Sequence, residues 1–205
     1  MVDGLASRGW IRFGHDPELA EWVASALPAA RAALTDPMLA RCHDCEGTWF
    51  VGVDALPNDE RGRVGQGPVL HGRAIEAATA LFGPLPLHRA QVSVIWPGYP
   101  RPRRDESEAG FRYRARRDAA HVDGLKPSGP DRRRHVEEPH AWILGIPLTE
   151  ADPGASPLVV WEGSHLVLGG ALRNALTGQS AGRLHETDVT DAYQAARRVV
   201  FETCT

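Results

Sequence analysis

Apolar residues recur at helical spacing near the start of the chain, at Leu19, Trp22, Val23 and Ala26. Asp16 and Pro17 stand just before them, and these residue types favour the cap and the first position of a helix. A proline inside a helix removes a backbone donor and clashes with the preceding turn. The pattern therefore predicts a helix that begins after Asp16, breaks at Pro28 and resumes as a short second helix to about Leu34.

The following stretch, residues 42–70, is rich in glycine, proline, aspartate and asparagine, with short apolar runs such as Trp49 to Val53. This composition predicts loops and short strands. From His71 to Phe82 the apolar positions share a helical face again, and Gly83 followed by Pro84 is a strong stop signal. We therefore predict an amphipathic helix over residues 71–82.

From Leu85 onward the apolar pattern changes to the period of two that is typical of strands. Strands are predicted at Gln91–Trp96, Phe111–Arg117, Ala141–Leu148 and Pro157–Trp161. A glycine-rich stretch and a final helix over Asp188 to about Val200, with Thr190 or Asp188 as its cap, complete the chain. Helices first and antiparallel strands later favour an α+β, mainly β jelly roll. We predict a single domain, with a helical and loop buttress over residues 1–84 and the jelly-roll core over residues 85–205.

Composition excludes several classes of protein. The chain has 205 residues, of which 42% are hydrophobic and 24% charged, and these values are typical of a globular domain. A net charge of -3 disfavours nucleic acid or an anionic membrane as the main partner. No apolar run approaches the length of a membrane helix, and no secretory signal is visible. Three cysteines argue against a disulfide framework, so a cytoplasmic location is expected.

The most informative motif is His121-Val122-Asp123. On an extended segment, residues two apart point to the same side, so an imidazole nitrogen and a carboxylate oxygen can meet at one metal ion. Two histidines and one carboxylate form the site of non-haem Fe(II) oxygenases. The alternative interpretation is a hydrogen-bonded histidine and aspartate that line a turn.

The context of this motif resembles the phytanoyl-CoA dioxygenase-like family of Fe(II)- and 2-oxoglutarate-dependent oxygenases. The resemblance rests on three matches in order, which are His121-Val122-Asp123, the strand that carries Trp142, and the segment Pro157–His165, which ends in Gly-Ser-His. It implies a double-stranded β-helix, the cupin-like jelly roll, with Fe(II) held in part by His121 and Asp123. It also implies 2-oxoglutarate and dioxygen as cosubstrates and a small organic molecule as substrate.

The resemblance suggests further residues for the cosubstrate site. It implies an aromatic side chain near 2-oxoglutarate at the position of Trp142, which could equally be a plain core residue. Gln91 is a second candidate for the same site.

One departure from the family concerns the third metal ligand. In the family this ligand is a histidine of a late strand, followed by an arginine that binds the distal carboxylate of 2-oxoglutarate. His135 and His140 precede the Trp142 strand, so they come too early, and His185 falls in a polar segment that is predicted to be a loop. His165 matches the family's pocket rim and is the outside candidate. We therefore expect the third ligand beyond Thr205, with the last strands missing, and no enzyme-like turnover by these 205 residues.

Two other groups of residues could carry chemistry. Cys42-His43-Asp44-Cys45 has the spacing of half a zinc site, but Cys204 is far away in sequence, so small thiols beside a loop are the favoured interpretation. Arginines at positions 101, 103, 104 and 132–134 could bind an anion, yet acidic residues are interspersed among them, which favours a self-neutralising surface.

The predicted function is therefore hydroxylation of a small organic molecule by an Fe(II)- and 2-oxoglutarate-dependent dioxygenase. Two alternatives remain open at the level of sequence. One is a non-catalytic jelly-roll binding protein, and the other is a cupin-like metal enzyme that is not an oxygenase.

Overall fold

The computed structural model describes residues 2–205, with side chains described from residue 4 onward. Its helices are α1 (Val2–Arg8), α2 (Pro17–Ala33), α3 (Arg73–Phe82), α4 (Glu108–Ala115), α5 (Ser164–Ala175) and α6 (Thr190–Thr203). Its strands are β1 (His43–Asp44), β2 (Trp49–Gly52), β3 (Val92–Ile95), β4 (Leu125–Ser128) and β5 (Arg133–Val136). Short 3-10 helices cover Pro37–Cys42, Cys45–Gly47 and Ala181–Glu186.

The chain divides into two compact units. The first unit contains the chain up to Arg12 together with Ala120–Ile143 and Val159–Thr205, and the second unit contains Phe13–Ala119 and Leu144–Leu158. Strands β1, β2 and β3 form an antiparallel sheet in the second unit, and β4 pairs with β5 as an antiparallel hairpin in the first. Sheets of this size do not decide the overall architecture, so the double-stranded β-helix stays a prediction.

In the second unit, the long helix α2 packs on the three-stranded sheet. The core that they share contains Trp22 and Phe50, and the Trp22 indole nitrogen donates a hydrogen bond to the carbonyl of Gly62 at 2.7 Å. The predicted start of the helix is confirmed, because Asp16 is the cap and Pro17 the first residue. The predicted break at Pro28 is wrong. Residues on both sides of Pro28 are buried in the core, and this packing keeps the helix continuous despite the missing donor.

Other predictions for the second unit are partly correct. Helix α3 begins two residues after the predicted start and ends at Phe82, as expected from Gly83. The predicted strands at 49–53 and 91–96 correspond to β2 and β3, which pair from Trp49 opposite Ile95 to Gly52 opposite Val92.

The predicted strand over Phe111–Arg117 is wrong, because residues 111–115 belong to α4 and the last two residues lie in the turn that follows it. The Ser107 hydroxyl oxygen caps the helix by accepting from the Gly110 backbone N–H at 3.1 Å. One turn into the helix, Arg112 pairs with Glu108 at 2.8 Å, the spacing that supports a helix. The Ser107 cap and the Arg112–Glu108 ion pair both stabilise a helix. Together they outweigh the preference for a strand that the alternation of aromatic and basic residues indicated.

The two apolar segments after the hairpin also differ from prediction. Neither Ala141–Leu148 nor Pro157–Trp161 forms a strand among residues 2–205. Exposure does alternate along the first segment, and Ile146 and Leu148 pack against the core of the second unit. Residues 157–160 are exposed throughout. A strand needs a neighbouring strand for its backbone hydrogen bonds, and the described chain provides none to either segment.

The first unit packs the hairpin against the C-terminal helices. Its core cluster of buried residues is Leu125, Val189 and Tyr193, against which Leu168 and Leu172 of α5 pack. The glycine-rich stretch after the Gly-Ser-His turn was not expected to be helical, but it forms α5, because Leu168 and Leu172 share a face that meets this core.

Two further features of the first unit concern its C-terminal part. The loop predicted around His185 is a 3-10 helix, Ala181–Glu186. The final helix is confirmed, and the Asp188 carboxylate accepts a hydrogen bond from the Thr190 backbone N–H at its start, at 2.9 Å. Within residues 2–205, no helix has both the length and the apolar character that crossing a membrane requires.

Replacing Asp16 with alanine tests the cap that joins two helices of the second unit. The carboxylate accepts hydrogen bonds from the backbone N–H groups of Glu18 at 3.2 Å and of Arg73 at 2.9 Å. The hydrogen bond from the Arg73 N–H lowers the pKa of Asp16 below 3.8. Burial opposes this effect, and the hydrogen bond from the Glu18 N–H adds to it. We expect Asp16→Ala to lower the thermal unfolding midpoint by about 2–4 °C at neutral pH.

The same variant has a predicted pH dependence. Because the folded pKa of Asp16 is depressed, its stabilising contribution is complete above 3.8 and is lost as the pH falls through the folded pKa. The difference in melting temperature from the wild type should therefore shrink in acid. Asp16→Asn, which keeps a capping oxygen without the charge, is the control, and its melting temperature should fall by less than that of Asp16→Ala. A difference that grows below pH 3.8 would contradict the assignment.

Candidate metal centre

The predicted metal ligands His121 and Asp123 lie together just before β4. They stand on an irregular segment and a turn instead of a strand, and the His121 Nε2 atom is 2.9 Å from the Asp123 Oδ1 atom. Their side chains are 64% and 47% exposed, so both ligating atoms are on a surface that an ion can reach. The structure thus brings the two side chains of the motif into direct contact.

Their separation suits a shared metal ion. Two adjacent ligands of an octahedral ion, each bonded at about 2.1 Å, stand about 3 Å apart. The observed 2.9 Å equals that spacing, and it is also an ordinary hydrogen-bond length. The pair is therefore suitable both as half of a metal site and as a hydrogen-bonded histidine and aspartate.

The electrostatics of Asp123 favour its ionised form. The hydrogen bond from His121 lowers the pKa of the Asp123 carboxyl, burial opposes this effect, and the charges of His121 and His140 add to it. The carboxylate is consequently ionised at neutral pH, which is the form that a metal ion binds.

The chain returns to this pair immediately after β5, and Gly124 makes that approach possible. Gly124 has a φ of +77°, and a Cβ atom on it would stand 1.9 Å from the carbonyl oxygen of Glu138 and 3.3 Å from His140 Cδ2. The Gly124 carbonyl accepts hydrogen bonds from the backbone N–H groups of Glu137 and Glu138 at 2.9 and 3.3 Å. Any other residue at position 124 would force the two segments apart.

Two titratable residues near the motif were not among the predicted site residues. Glu138 forms an ion pair with Lys126, and its other carboxylate oxygen is 3.9 Å from His140 Nε2. His140 was set aside at the level of sequence because it precedes the Trp142 strand. The signal that could have identified both is the turn-forming segment Pro127–Pro130, which predicts a hairpin and therefore proximity of the residues that flank it.

His165 is engaged elsewhere in the first unit. Its Nε2 atom is 2.9 Å from the carbonyl oxygen of Ala6, and its Nδ1 atom stands against Gly9. The turn before it binds the same segment, since the Gly163 N–H donates to the Arg8 carbonyl at 3.1 Å. Among the described residues, no three histidine, cysteine, aspartate or glutamate side chains already form a group that could hold a metal ion.

The two candidate cosubstrate residues fall in different units. Trp142 is half-buried in the first unit, two residues after His140. Gln91 is an exposed residue of the second unit, next to the start of β3. Their roles at a 2-oxoglutarate site stay predictions.

Within the described part of the chain, the cysteine motif of the second unit does not belong to a group of three histidine, cysteine, aspartate or glutamate side chains that could hold a metal ion. Cys42 and Cys45 are both free thiols, separated by the short strand β1. Cys45 is buried, with the Arg114 guanidinium 3.9 Å from its sulfur. This agrees with the interpretation of the thiols as structural.

Many of the arginines considered for anion binding are neutralised by acidic partners. Arg103 pairs with Asp44 at 3.1 Å, and Arg133 pairs with Asp188 at 3.4 Å. The partners are distant in sequence, so the neutralisation is tertiary and not the local one that the alternating charges suggested.

Comparison with protein-family models, with curated protein sequences and with solved structures finds no match to this chain.

Proposed function

We propose that this chain carries the metal site of an Fe(II)- and 2-oxoglutarate-dependent dioxygenase that hydroxylates a small organic molecule. The observation that carries the proposal is the 2.9 Å contact between His121 Nε2 and Asp123 Oδ1, on a surface open to solvent. The donor set, one imidazole and one carboxylate, is the set that the facial triad of such enzymes shares. The predicted double-stranded β-helix belongs to the same proposal.

The chain's own residues would bind and orient the ion. His121 and Asp123 would supply two adjacent positions, and the Asp123 carboxylate would bring the negative charge that offsets part of the ion's own charge. With iron bound, the site would supply oxidative decarboxylation of 2-oxoglutarate coupled to hydroxylation of the substrate. The family resemblance would put Trp142 near 2-oxoglutarate, and its indole is half-buried in the same unit as His121 and Asp123.

Metal titration tests this site. We expect Asp123→Ala to weaken anaerobic Fe(II) binding by about 100-fold or more, because loss of even an outer partner of a ligand costs about 10- to 100-fold. Asp131→Ala is the matched control, since Asp131 is an exposed carboxylate in the turn of the same hairpin. Equal affinities of Asp123→Ala and Asp131→Ala would remove the metal assignment.

Addition of 2-oxoglutarate then distinguishes the oxygenase from its alternatives. Bidentate binding of the 2-oxo acid to Fe(II) produces a visible charge-transfer band, which we expect in the wild type and not in Asp123→Ala. Tight metal binding without this band would favour a cupin-like metal enzyme that is not an oxygenase. Absence of metal binding altogether would favour the non-catalytic binding protein. Both results would overturn the proposed function.

A further inference from the structure

The second unit contains a cleft that is rich in charged residues. One wall is formed by residues 43–47, which cover β1 and the short 3-10 helix after it, and the other by residues 102–104 of the loop that follows β3. The cleft has a volume of about 420 Å³, within the range of about 300–1,000 Å³ that is usual for small-molecule sites. All of its lining residues belong to the second unit, whereas the candidate metal centre belongs to the first.

The wall that carries the arginines is fixed by a largely buried ion pair. Arg114 and Glu106 bind each other at 2.8 Å, and their side chains are only 12% and 15% exposed. The Arg114 guanidinium also donates to the carbonyl of Arg101 at 2.9 Å, and the Glu106 carboxylate accepts from the Arg103 N–H at 3.1 Å. The loop is thus held at two backbone positions before a ligand arrives, which lowers the entropic cost of binding.

The opposite wall is held in an uncommon backbone conformation. Cys45, Glu46 and Gly47 have consecutive φ values of +51°, +55° and +81°. Non-glycine residues adopt this left-handed region rarely, and such strain persists only where the surrounding structure imposes it. Here the Asp44 carboxylate accepts from the Cys45 N–H at 2.7 Å, and the buried Cys45 sulfur stands 3.9 Å from the Arg114 guanidinium. Arg114 therefore contacts both walls and fixes the shape of the cleft.

The charges around the cleft leave one guanidinium without a counter-ion. Arg103 pairs with Asp44 at 3.1 Å, and Arg101 pairs with Glu46 at 3.8 Å. Arg104 lines the cleft as an exposed residue, and none of the ion pairs among residues 4–205 includes it. Three arginines and two carboxylates together leave a surplus of one positive charge.

From the fixed walls and this surplus we propose that the cleft binds a small organic carboxylate, with the Arg104 guanidinium as its principal contact. A guanidinium group presents parallel N–H donors that match the two oxygens of a carboxylate. Arg103 becomes a second contact when it exchanges Asp44 for the ligand, because their ion pair is 44% and 33% exposed and such pairs are weak. A single negative charge on the ligand balances the surplus, whereas a phosphate dianion exceeds it.

An NMR titration of the isotope-labelled chain tests this site. We expect sodium propionate to shift the backbone amide signals of Gly47 and Arg104 saturably, at an ionic strength kept constant with sodium chloride. Arg104→Gln should weaken propionate binding by about 10-fold or more, because it removes hydrogen bonds between charged groups. Arg132→Gln is the matched control, since Arg132 is an exposed arginine in the turn of the β4–β5 hairpin and takes part in none of the ion pairs among residues 4–205.

A second substitution has a predicted effect of the opposite sign. Asp44→Asn removes the carboxylate that competes for Arg103 and keeps an oxygen that can accept from the Cys45 N–H. We expect this variant to bind propionate about 2- to 5-fold more tightly, which corresponds to the loss of one exposed ion pair. Asp131→Asn changes the net charge equally at an exposed residue of the hairpin turn and should bind propionate as the wild type does.

The titrations can overturn the proposal in several ways. Shifts that do not saturate would show that propionate has no site in the cleft. Equal propionate affinities of Arg104→Gln and Arg132→Gln would remove Arg104 as the principal contact, and an unchanged affinity of Asp44→Asn would remove the exchange at Arg103. Tighter saturable binding of inorganic phosphate than of propionate would replace the carboxylate site with a phosphate site. Weaker binding by Arg104→Gln together with tighter binding by Asp44→Asn supports the proposal.

Discussion

Phe50→Ala is expected to destabilise the second unit by about 3–5 kcal/mol, because it leaves a cavity at the centre of the core. The Phe50 side chain is completely buried on β2, and the core around it includes Trp22 and Val92. Gly52 accommodates the ring, since a Cβ atom there would stand 2.5 Å from the Phe50 ring carbon Cε1. Few neighbouring atoms can close the gap, so the loss should lie in the range of large core truncations.

Urea denaturation followed by tryptophan fluorescence measures this loss. Trp22 and Trp49 both lie in the second unit and report on its unfolding. Met38→Ala is the control, because Met38 is 80% exposed and its truncation should change the free energy of unfolding by less than about 0.5 kcal/mol. A urea midpoint of Phe50→Ala close to that of Met38→Ala would show that Phe50 does not contribute to the core around β2.

Arg114→Ala is expected to cost a similar amount, about 3–5 kcal/mol, through electrostatics instead of packing. The guanidinium binds both carboxylate oxygens of Glu106, at 2.9 and 2.8 Å, and the two side chains are only 12% and 15% exposed. It also donates to the carbonyl of Arg101 at 2.9 Å. Removal of the arginine would leave a largely buried carboxylate without its partner.

The same pair predicts acid sensitivity. The hydrogen bonds from Arg114 lower the pKa of Glu106 from 4.5 to about 2, against the opposing effect of burial. Because the folded pKa is depressed, this stabilisation is complete above pH 4.5 and is lost as the pH falls through about 2. Glu106→Gln should remove that part of the pH dependence.

A second pair on α4 is the matched control. Arg112 and Glu108 are 57% and 80% exposed, so Arg112→Ala should cost no more than about 0.5 kcal/mol. Guanidinium chloride would screen these charges, so urea is the denaturant to use for both variants. Equal losses for Arg114→Ala and Arg112→Ala would mean that the Arg114 pair is solvated and contributes little.

Local signals explain which elements could be predicted from the sequence. Asp16 with Pro17, and Gly83 with Pro84, set a helix start and a helix end through groups adjacent in the chain. The strand at Val92–Ile95 followed from its alternation. Prediction was wrong where a local preference competed with packing or with a cap, as at Pro28 and at Ser107.

The residues of the candidate metal centre divide into the same two classes, those set by local sequence and those set by folding. His121 and Asp123 are two residues apart, so local geometry alone brings them within 2.9 Å of each other. Glu138 and His140 come against Gly124 only because the hairpin folds back with one particular register. The distance of His140 along the chain does not show that it lies beside Gly124.

Residues that are close in sequence therefore determined the helix caps, the alternating strands and the contact between His121 and Asp123. Only the tertiary structure decided that α2 continues through Pro28 and that His140 lies beside Gly124. The physical reason is the range of the interactions. Caps and neighbouring side chains act within one or two turns of chain, whereas core packing and strand register depend on segments that meet only after the chain has folded.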